Sequence, residues 1–362
     1  MAKETPFYQL HLKHKAKLVD FAGYLMPIQY RGIVEEHKKV RSKVGFFDLS
    51  HMGEFKVTGK DAEDFLQKVT VNDVKKLGMY QVQYTVMCYP DGGIVDDLLV
   101  YKLPDRWMVV VNAANIEKDW NWLVQKKFGD VKLENVSDET AILAIQGPMA
   151  EKVMSRLTDY DLSRIKFYWG TEDNVLGNKI LFSRTGYTGE DGFELYFQPD
   201  LAEKIWEAAQ EAGKEFEIEP VGLGARDSLR LEMKYMLYGN DIDLTTNPME
   251  AGLSWLVKLD KGDFIGKEAI LNARQNPKRS LVAFEMVDKA FPRQHYEIWK
   301  NGAKIGEVTS GIFSPSLEKG IGLGYVPTAE SKIGNEIEIL IRDRTYKALV
   351  VKPPFWKNYS HK

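Results

Sequence analysis

Apolar residues recur along this chain with two periods, and the places where the period changes predict its elements. Glu54, Phe55, Lys56 and Val57 alternate as in a strand. Ala62, Phe65, Leu66 and Val69 then share one helical face behind Asp61, the expected N-cap. Two strand-like runs, 83–88 and 94–102, flank Tyr89-Pro-Asp-Gly-Gly93, which reads as a hairpin turn. A third run, 107–111, leads into a helix with Ile116, Trp120 and Leu123 on one side. The order strand, helix, strands, helix predicts an α+β unit rather than alternating βαβ crossovers. A similar order returns after Thr140: a strand over 141–145, a helix opened by Gly147 and Pro148, strands between 180 and 196, and helices over 201–212 and 224–234. Ahead of both, the first 50 residues mix turn signals with a helical stretch over 32–41.

From about residue 275 short strands take over, at 280–286, 296–299, 305–308, 321–326, 336–341 and 346–351. Asn301-Gly302 and other glycine-rich turns separate them. Strands at this spacing predict a small closed barrel, with the charged segment 274–279 as the linker to it.

Composition narrows the function classes. The chain has 362 residues, enough for two or three domains, and 49 Lys+Arg against 52 Asp+Glu leave a net charge of −3. That balance predicts no extended basic surface for nucleic acid. The longest apolar stretch, 107–111, falls far short of the roughly 20 residues of a membrane span, and no leader is expected before the folded part. A single cysteine, Cys88, allows no internal disulfide and no cysteine metal cage, and its place in a strand pattern predicts buried packing. A soluble intracellular protein is the expectation.

Cofactor and nucleophile motifs are missing. Gly222-Leu-Gly-Ala-Arg226 and Gly320-Ile-Gly-Leu-Gly324 both fail the dinucleotide pattern, and no phosphate loop, H-E-x-x-H or G-x-S-x-G is present. His11 and His14 could share a helix face and read as a solvated pair. His51 is expected to make a structural hydrogen bond.

Three constellations depart from an ordinary core. Asp96 and Asp97 lie inside the 94–102 run, where alternation sends them to opposite faces and carboxylates are depleted. Either one is held in a polar pocket or one bonds the amides of the Gly92-Gly93 turn. The segment Arg184-Thr-Gly-Tyr-Thr-Gly-Glu-Asp-Gly192 has the composition of a structured loop, and Glu194 behind it is expected to point away from Phe193 and Leu195 and to need donors. Arg226 falls in the first turn of a helix, where the dipole disfavours a cation, so a carboxylate or an anionic ligand is expected to hold it. Tyr84, Tyr101, Tyr168 and Tyr187 could supply flat walls for a planar ring.

These residues carry a resemblance. Phe21-Ala-Gly-Tyr-Leu-Met-Pro27, Phe47-Asp-Leu-Ser-His-Met-Gly-Glu54, Gly92-Gly-Ile-Val-Asp-Asp-Leu98, the 184–192 loop, Gly222-Leu-Gly-Ala-Arg-Asp227 and Asn247-Pro248 resemble, in order and nearly end to end, the aminomethyltransferase family, the T-proteins of the glycine cleavage system. The resemblance implies an α+β, three-lobed cloverleaf: two ferredoxin-like units and a C-terminal β-barrel around a central folate channel. Residues 1–52 and 140–274 would form one lobe, 53–139 an inserted lobe, and 275–362 the barrel. It implies transfer of the methylene carbon from the S-aminomethyl lipoyl arm of the H-protein to tetrahydrofolate, with release of ammonia. Tetrahydrofolate would be the co-substrate, with no metal, flavin or nicotinamide, and neither nucleic acid nor membrane as partner. By the same resemblance Asp97 is the catalytic carboxylate and Glu194 and Arg226 bind folate. Tyr84, Tyr101, Asn112, Tyr187 and Met52 line the channel, with Tyr168 aligning less closely and Tyr359 as candidate C-terminal ligand. A bacterial cytoplasmic location is implied, and a processed mitochondrial matrix protein would look the same. Two other readings are a folate-binding accessory protein without transferase activity and a folate-dependent demethylase. Relatives of the accessory kind lack much of the Asp-Asp and Arg-Thr-Gly-Tyr-Thr-Gly patterns, and the demethylases carry a fused flavin domain.

Overall fold

A computed structural model describes residues 2–361. The mixed α+β architecture consists of two main antiparallel sheets, a short hairpin of Lys17–Phe21 with Tyr24–Gln29, and a closed barrel. The first sheet has the order Val82–Cys88, Ile94–Lys102, Trp107–Val111, Gly53–Thr58, Lys132–Asn135. The second runs Gly170–Val175, Asn178–Ser183, Gly192–Phe197, Ala141–Gln146, Gly45–Asp48, with Glu219–Pro220 pairing parallel at its edge.

Trp107–Val111 is buried at every residue because both its faces are covered. Val109 and Val111 join Phe55, Phe65 and Leu123 beneath the helices Ala62–Val69 and Ile116–Lys126. Met108 and Val110 face the other way and pack with Tyr101 against Ile142, Ala144, Leu181 and Tyr196 of the second sheet. The two sheets therefore share one apolar layer. The outer face of the second sheet buries Trp206, from the helix Ala202–Gly213, edge-on against Phe46 at 4.6 Å. Truncating so large a buried ring typically costs about 3–5 kcal/mol.

The barrel closes in the order Arg279–Met286, Lys319–Pro327, Ala303–Ser314, Glu297–Lys300, Glu336–Ile341, Arg344–Val351. Its interior is filled by Phe284, Ile298, Val308, Ile339 and Val350. Asn301 and Gly302 both take positive φ, the backbone a two-residue hairpin turn requires.

Several local expectations change. Asp61 does not cap its helix; its carboxylate instead accepts the Asp130 amide at 2.7 Å. The 274–279 segment is not all linker, since the helix Lys267–Gln275 and the strand from Arg279 take both of its ends. The helix after Gly147 and Pro148 is short, Ala150–Met154, and the one expected to reach residue 234 stops at Glu232, with Lys234 left-handed (φ 59). His11 is not solvated. It is fully buried, with Nε2 3.0 Å from Asp48 and Nδ1 2.9 Å from the Tyr30 hydroxyl, while His14 is half-buried beside Trp206. Cys88 is buried as expected, and burial pushes its thiol up.

Candidate active site

A cavity of about 1340 Å³ opens where the two sheets, the helix Leu223–Glu232 and the barrel meet. Asp97 reaches it from the first sheet, Glu194 from the second and Arg226 from the helix.

The hairpin explains how two adjacent acids come to sit in a strand. Gly92 takes φ +88, and the Asp91 carboxylate accepts the Gly93 amide at 3.0 Å, so neither Asp96 nor Asp97 is needed at the turn. Alternation then separates them. Asp96 is fully buried: its oxygens accept the Asn112 amide N–H (3.1 Å), the Asn112 side chain (2.9 Å) and the Asn115 side chain (2.6 Å). These donors precede the helix Ile116–Lys126, where the dipole favours an anion. Asp97 points to the cavity and accepts from the Tyr84 hydroxyl and from Asn112 Nδ2, each at 2.9 Å. Burial, then the Asp96 charge, outweigh these donors and lift the Asp97 carboxyl to about 7.

Glu194 is buried between Phe193 and Leu195, which point into the core beneath the sheet, while its own side chain faces the cavity. Thr185 Oγ1 donates to Oε2 at 2.5 Å, and the Tyr196 hydroxyl stands 3.4 Å away. Burial raises this carboxyl, with Thr185 and the Arg226 charge opposing. Arg226 makes no side-chain hydrogen bond or ion pair among the described residues. Its guanidinium lies 4.6 Å from the Tyr187 ring centre, and that ring stacks at 5.8 Å on Tyr235 while its hydroxyl donates to the Met236 carbonyl. Burial depresses the Arg226 pKa, and the Glu194 charge offsets this only in part. A half-buried cation held by an aromatic face alone, with no anion or hydrogen-bond acceptor among the described residues, is costly to the fold, a common signature of a ligand site. Gly222 opens this helix because a Cβ there would meet the Ile28 backbone at 2.5 Å.

Met52, Tyr84, Asn112, Tyr168 and Tyr187 also stand on the cavity wall. Tyr101 and Tyr359 do not. Tyr101 is buried behind the wall, its hydroxyl 2.8 Å from that of Tyr196 and 3.2 Å from Ser183, because its end of the strand face that also carries Asp97 lies against the second sheet. Tyr359 is 42% exposed and stacks on His361, which in turn stacks on Phe167. The tail is pinned through Trp356 and Ser360 to Glu190, so Pro353 and Pro354 are what it brings to the cavity. His51 lacks the expected structural hydrogen bond: Nδ1 has no partner among the described residues, and burial lowers the ring's pKa to about 4.

Other wall residues were not expected. Tyr196 and Thr185 support Glu194, and Tyr196 was foreshadowed by its i+2 spacing. Trp255, 62% exposed, lies beside Tyr84 with ring centres 6.3 Å apart. Lys234 reaches the wall from its left-handed turn. Neither of these two had a local pattern to reveal it.

Fold and site together describe an α+β enzyme with a large, carboxylate-bearing cavity at the junction of its sheets and barrel. Residues 7–261 match the model of the GCVT N-terminal domain, and residues 279–357 that of the glycine cleavage T-protein C-terminal barrel domain. The chain is 54% identical to an aminomethyltransferase of Chloroherpeton thalassium, over 98% of each chain. It is 50% identical to one of Caldanaerobacter subterraneus, over 99% of this chain and 97% of the relative. The crystal structure of glycine cleavage system aminomethyltransferase T from Bartonella henselae superposes with a TM-score of 0.94 over all of both chains, at 34% identity. The chain belongs to the aminomethyltransferase family, the T-proteins of glycine cleavage.

Proposed function

We propose that the cavity takes tetrahydrofolate and the S-aminomethyl lipoyl arm of an H-protein, and that Asp97 manages the protons of the transfer between them. In balance, two C–N bonds form to folate N5 and N10 while the C–N bond to the departing ammonia and the C–S bond to the lipoyl sulfur break. The two folate N–H protons end on ammonia and on the thiol. Asp97 has the position and proton affinity to accept one such proton and return it to a leaving group, because a carboxyl lifted to about 7 exchanges protons readily at neutral pH. Tyr84 and Asn112 fix its two oxygens.

Glu194 would accept the adjacent N–H donors of the pterin ring, and Arg226 would address its acceptor oxygens. Met52, Tyr168 and Tyr187 supply apolar and aromatic wall. Tyr101 acts from behind by holding Tyr196, and Tyr359 has at most a role in docking the tail. Three units, 1–52 with 140–274, 53–139, and 275–362, would enclose the cavity, in a protein of the bacterial cytoplasm, the setting of its bacterial relatives.

The observation that carries the reading is the convergence on one cavity, from three separate elements, of Asp97, Glu194 and an Arg226 without an ionic partner among the described residues. The test is to mix the protein with aminomethylated lipoyl H-protein and tetrahydrofolate. Ammonia and 5,10-methylenetetrahydrofolate should appear together; folate binding without ammonia release would favour a binding protein.

A further inference from the structure

Behind Asp97 lies a third carboxyl for which the transfer reaction gives no account. Asp119, on the helix Ile116–Lys126, is fully buried, and neither of its oxygens meets a donor N–H or O–H among the described residues. The acidic group it faces is another buried carboxyl, that of Asp96. Two facing carboxyls buried in one place, one of them without any donor, do not both ionise, so one of the pair is an acid.

The surroundings decide which. Asp96 receives three N–H bonds from Asn112 and Asn115 at a helix start, an environment built for an anion. Asp119 receives none. Lys118 approaches Asp119 only to 4.0 Å, because its ammonium donates to the Val95 carbonyl and sits 3.8 Å from the Tyr238 ring centre. The other titratable groups facing the pair are Asp97, Tyr89 and Tyr238. None of these supplies Asp119 with a donor among the described residues. The Asn112 and Asn115 donors favour the anion on Asp96 and leave the proton to Asp119, from which it can be donated to Asp96.

Asp96 is in turn tied to the cavity. The Asn112 side-chain amide donates at 2.9 Å both to Asp96 Oδ1 and to Asp97 Oδ1, so whatever fixes Asp96 fixes the amide that orients Asp97. We propose that Asp119, kept as the neutral acid, is a positioning residue that holds Asp96 as the anion beside Asp97 and, through Asn112, sets both the orientation and the proton affinity of Asp97. The inference rests on the reading of Asp97 given above. It accounts for a fully buried acid without a donor, which as an unpartnered carboxylate would cost several kcal/mol.

Two variants and one spectroscopic readout test it. Asp119→Asn keeps a donor toward Asp96 and the same charge, so the acid limb of the pH–rate profile should stay where it is and turnover should stay within about threefold. Asp119→Leu keeps the size and removes the donor. Asp96 then takes a proton more readily, its charge beside Asp97 fades, and the acid limb should move down by about half a pH unit or more. A downward shift already in Asp119→Asn would mean that Asp119 is ionised in the native protein, and overturns the proposal. An unmoved profile in a folded Asp119→Leu would reduce Asp119 to packing, and also overturns it. Infrared spectra at neutral pH give a readout that needs no turnover. Among the carbonyl stretches of buried protonated acids, to which Asp97 and the donor-less Glu54 also contribute, one component should be present in the native protein, persist in Asp97→Asn and be lost in Asp119→Asn. Its persistence in Asp119→Asn contradicts the proposal even if Asp119→Leu fails to fold. Loss of turnover assignment to Asp97, with this band behaving as expected, would instead count against the transfer reading alone.

Discussion

The Tyr101 hydroxyl, on the strand Ile94–Lys102, lies 2.8 Å from the Tyr196 hydroxyl on the strand Gly192–Phe197, so a residue of one sheet supports the carboxylate of the other. Tyr101 also reaches Ser183, which bonds Thr185, which donates to Glu194. Tyr101→Phe removes one net hydrogen bond from this chain, about 1 kcal/mol, and should raise the KM for tetrahydrofolate about fivefold with little change in kcat. Steady-state kinetics against folate concentration check it; an unchanged KM would make the contact purely structural.

Arg226 stands in the fold at a cost. Arg226→Leu removes a half-buried cation with no ionic partner among the described residues, so the melting temperature should hold or rise, while folate affinity falls at least about tenfold, or 1.4 kcal/mol. Calorimetric melts and folate titrations together read the trade-off. A fall in both stability and affinity would show that Arg226 is a structural ion.

The pH dependence of turnover has a definite sign. Asp97 accepts a proton as the anion, so the rate should rise with pH through about 7. Tyr84→Phe removes a donor that favours the anion; it stabilises the acid form and should move the midpoint upward. A midpoint that falls in Tyr84→Phe contradicts the assignment.

Stability has its own pH dependence, set away from the cavity. Burial alone would raise the Glu232 carboxyl, but His37, Arg41 and Ser314 outweigh it and bring it to about 2. Because the folded-state value is depressed, this contribution is present above the ordinary value of 4.5 and is lost as pH falls toward 2. It amounts to something on the order of 3 kcal/mol, and denaturant unfolding between those pH values should recover it. Glu232→Gln should flatten that dependence and destabilise the protein at neutral pH.

Local periodicity made the strands and helices legible, and with them the facing of Asp97 and Glu194, since a period of two fixes which side a strand residue takes. It could not say what each side meets. Tyr101 and Asp97 share one strand face, yet only Asp97 reaches the cavity, because the apposition of residues 101 and 196 is a long-range pairing with no local signal. His11 illustrates the same limit: an amphipathic helix turn predicts a solvated imidazole until Asp48 and Tyr30, distant in the chain, bury it. Asp61 departs from its N-cap pattern for a different reason, since the Asp130 amide competes for the carboxylate and takes it from its helix. The pairing of Asp119 with Asp96 had no trace in the spacing at all.

The central claim is that Asp97 handles protons in the transfer rather than simply holding folate. The most direct measurement is single-turnover ammonia release from aminomethylated H-protein with saturating tetrahydrofolate, comparing Asp97→Asn with the native protein while folate affinity is measured in parallel. The account predicts a rate lower by about two to four orders of magnitude, with affinity within about tenfold. A near-native rate, or a loss accounted for wholly by weaker folate binding, would contradict it.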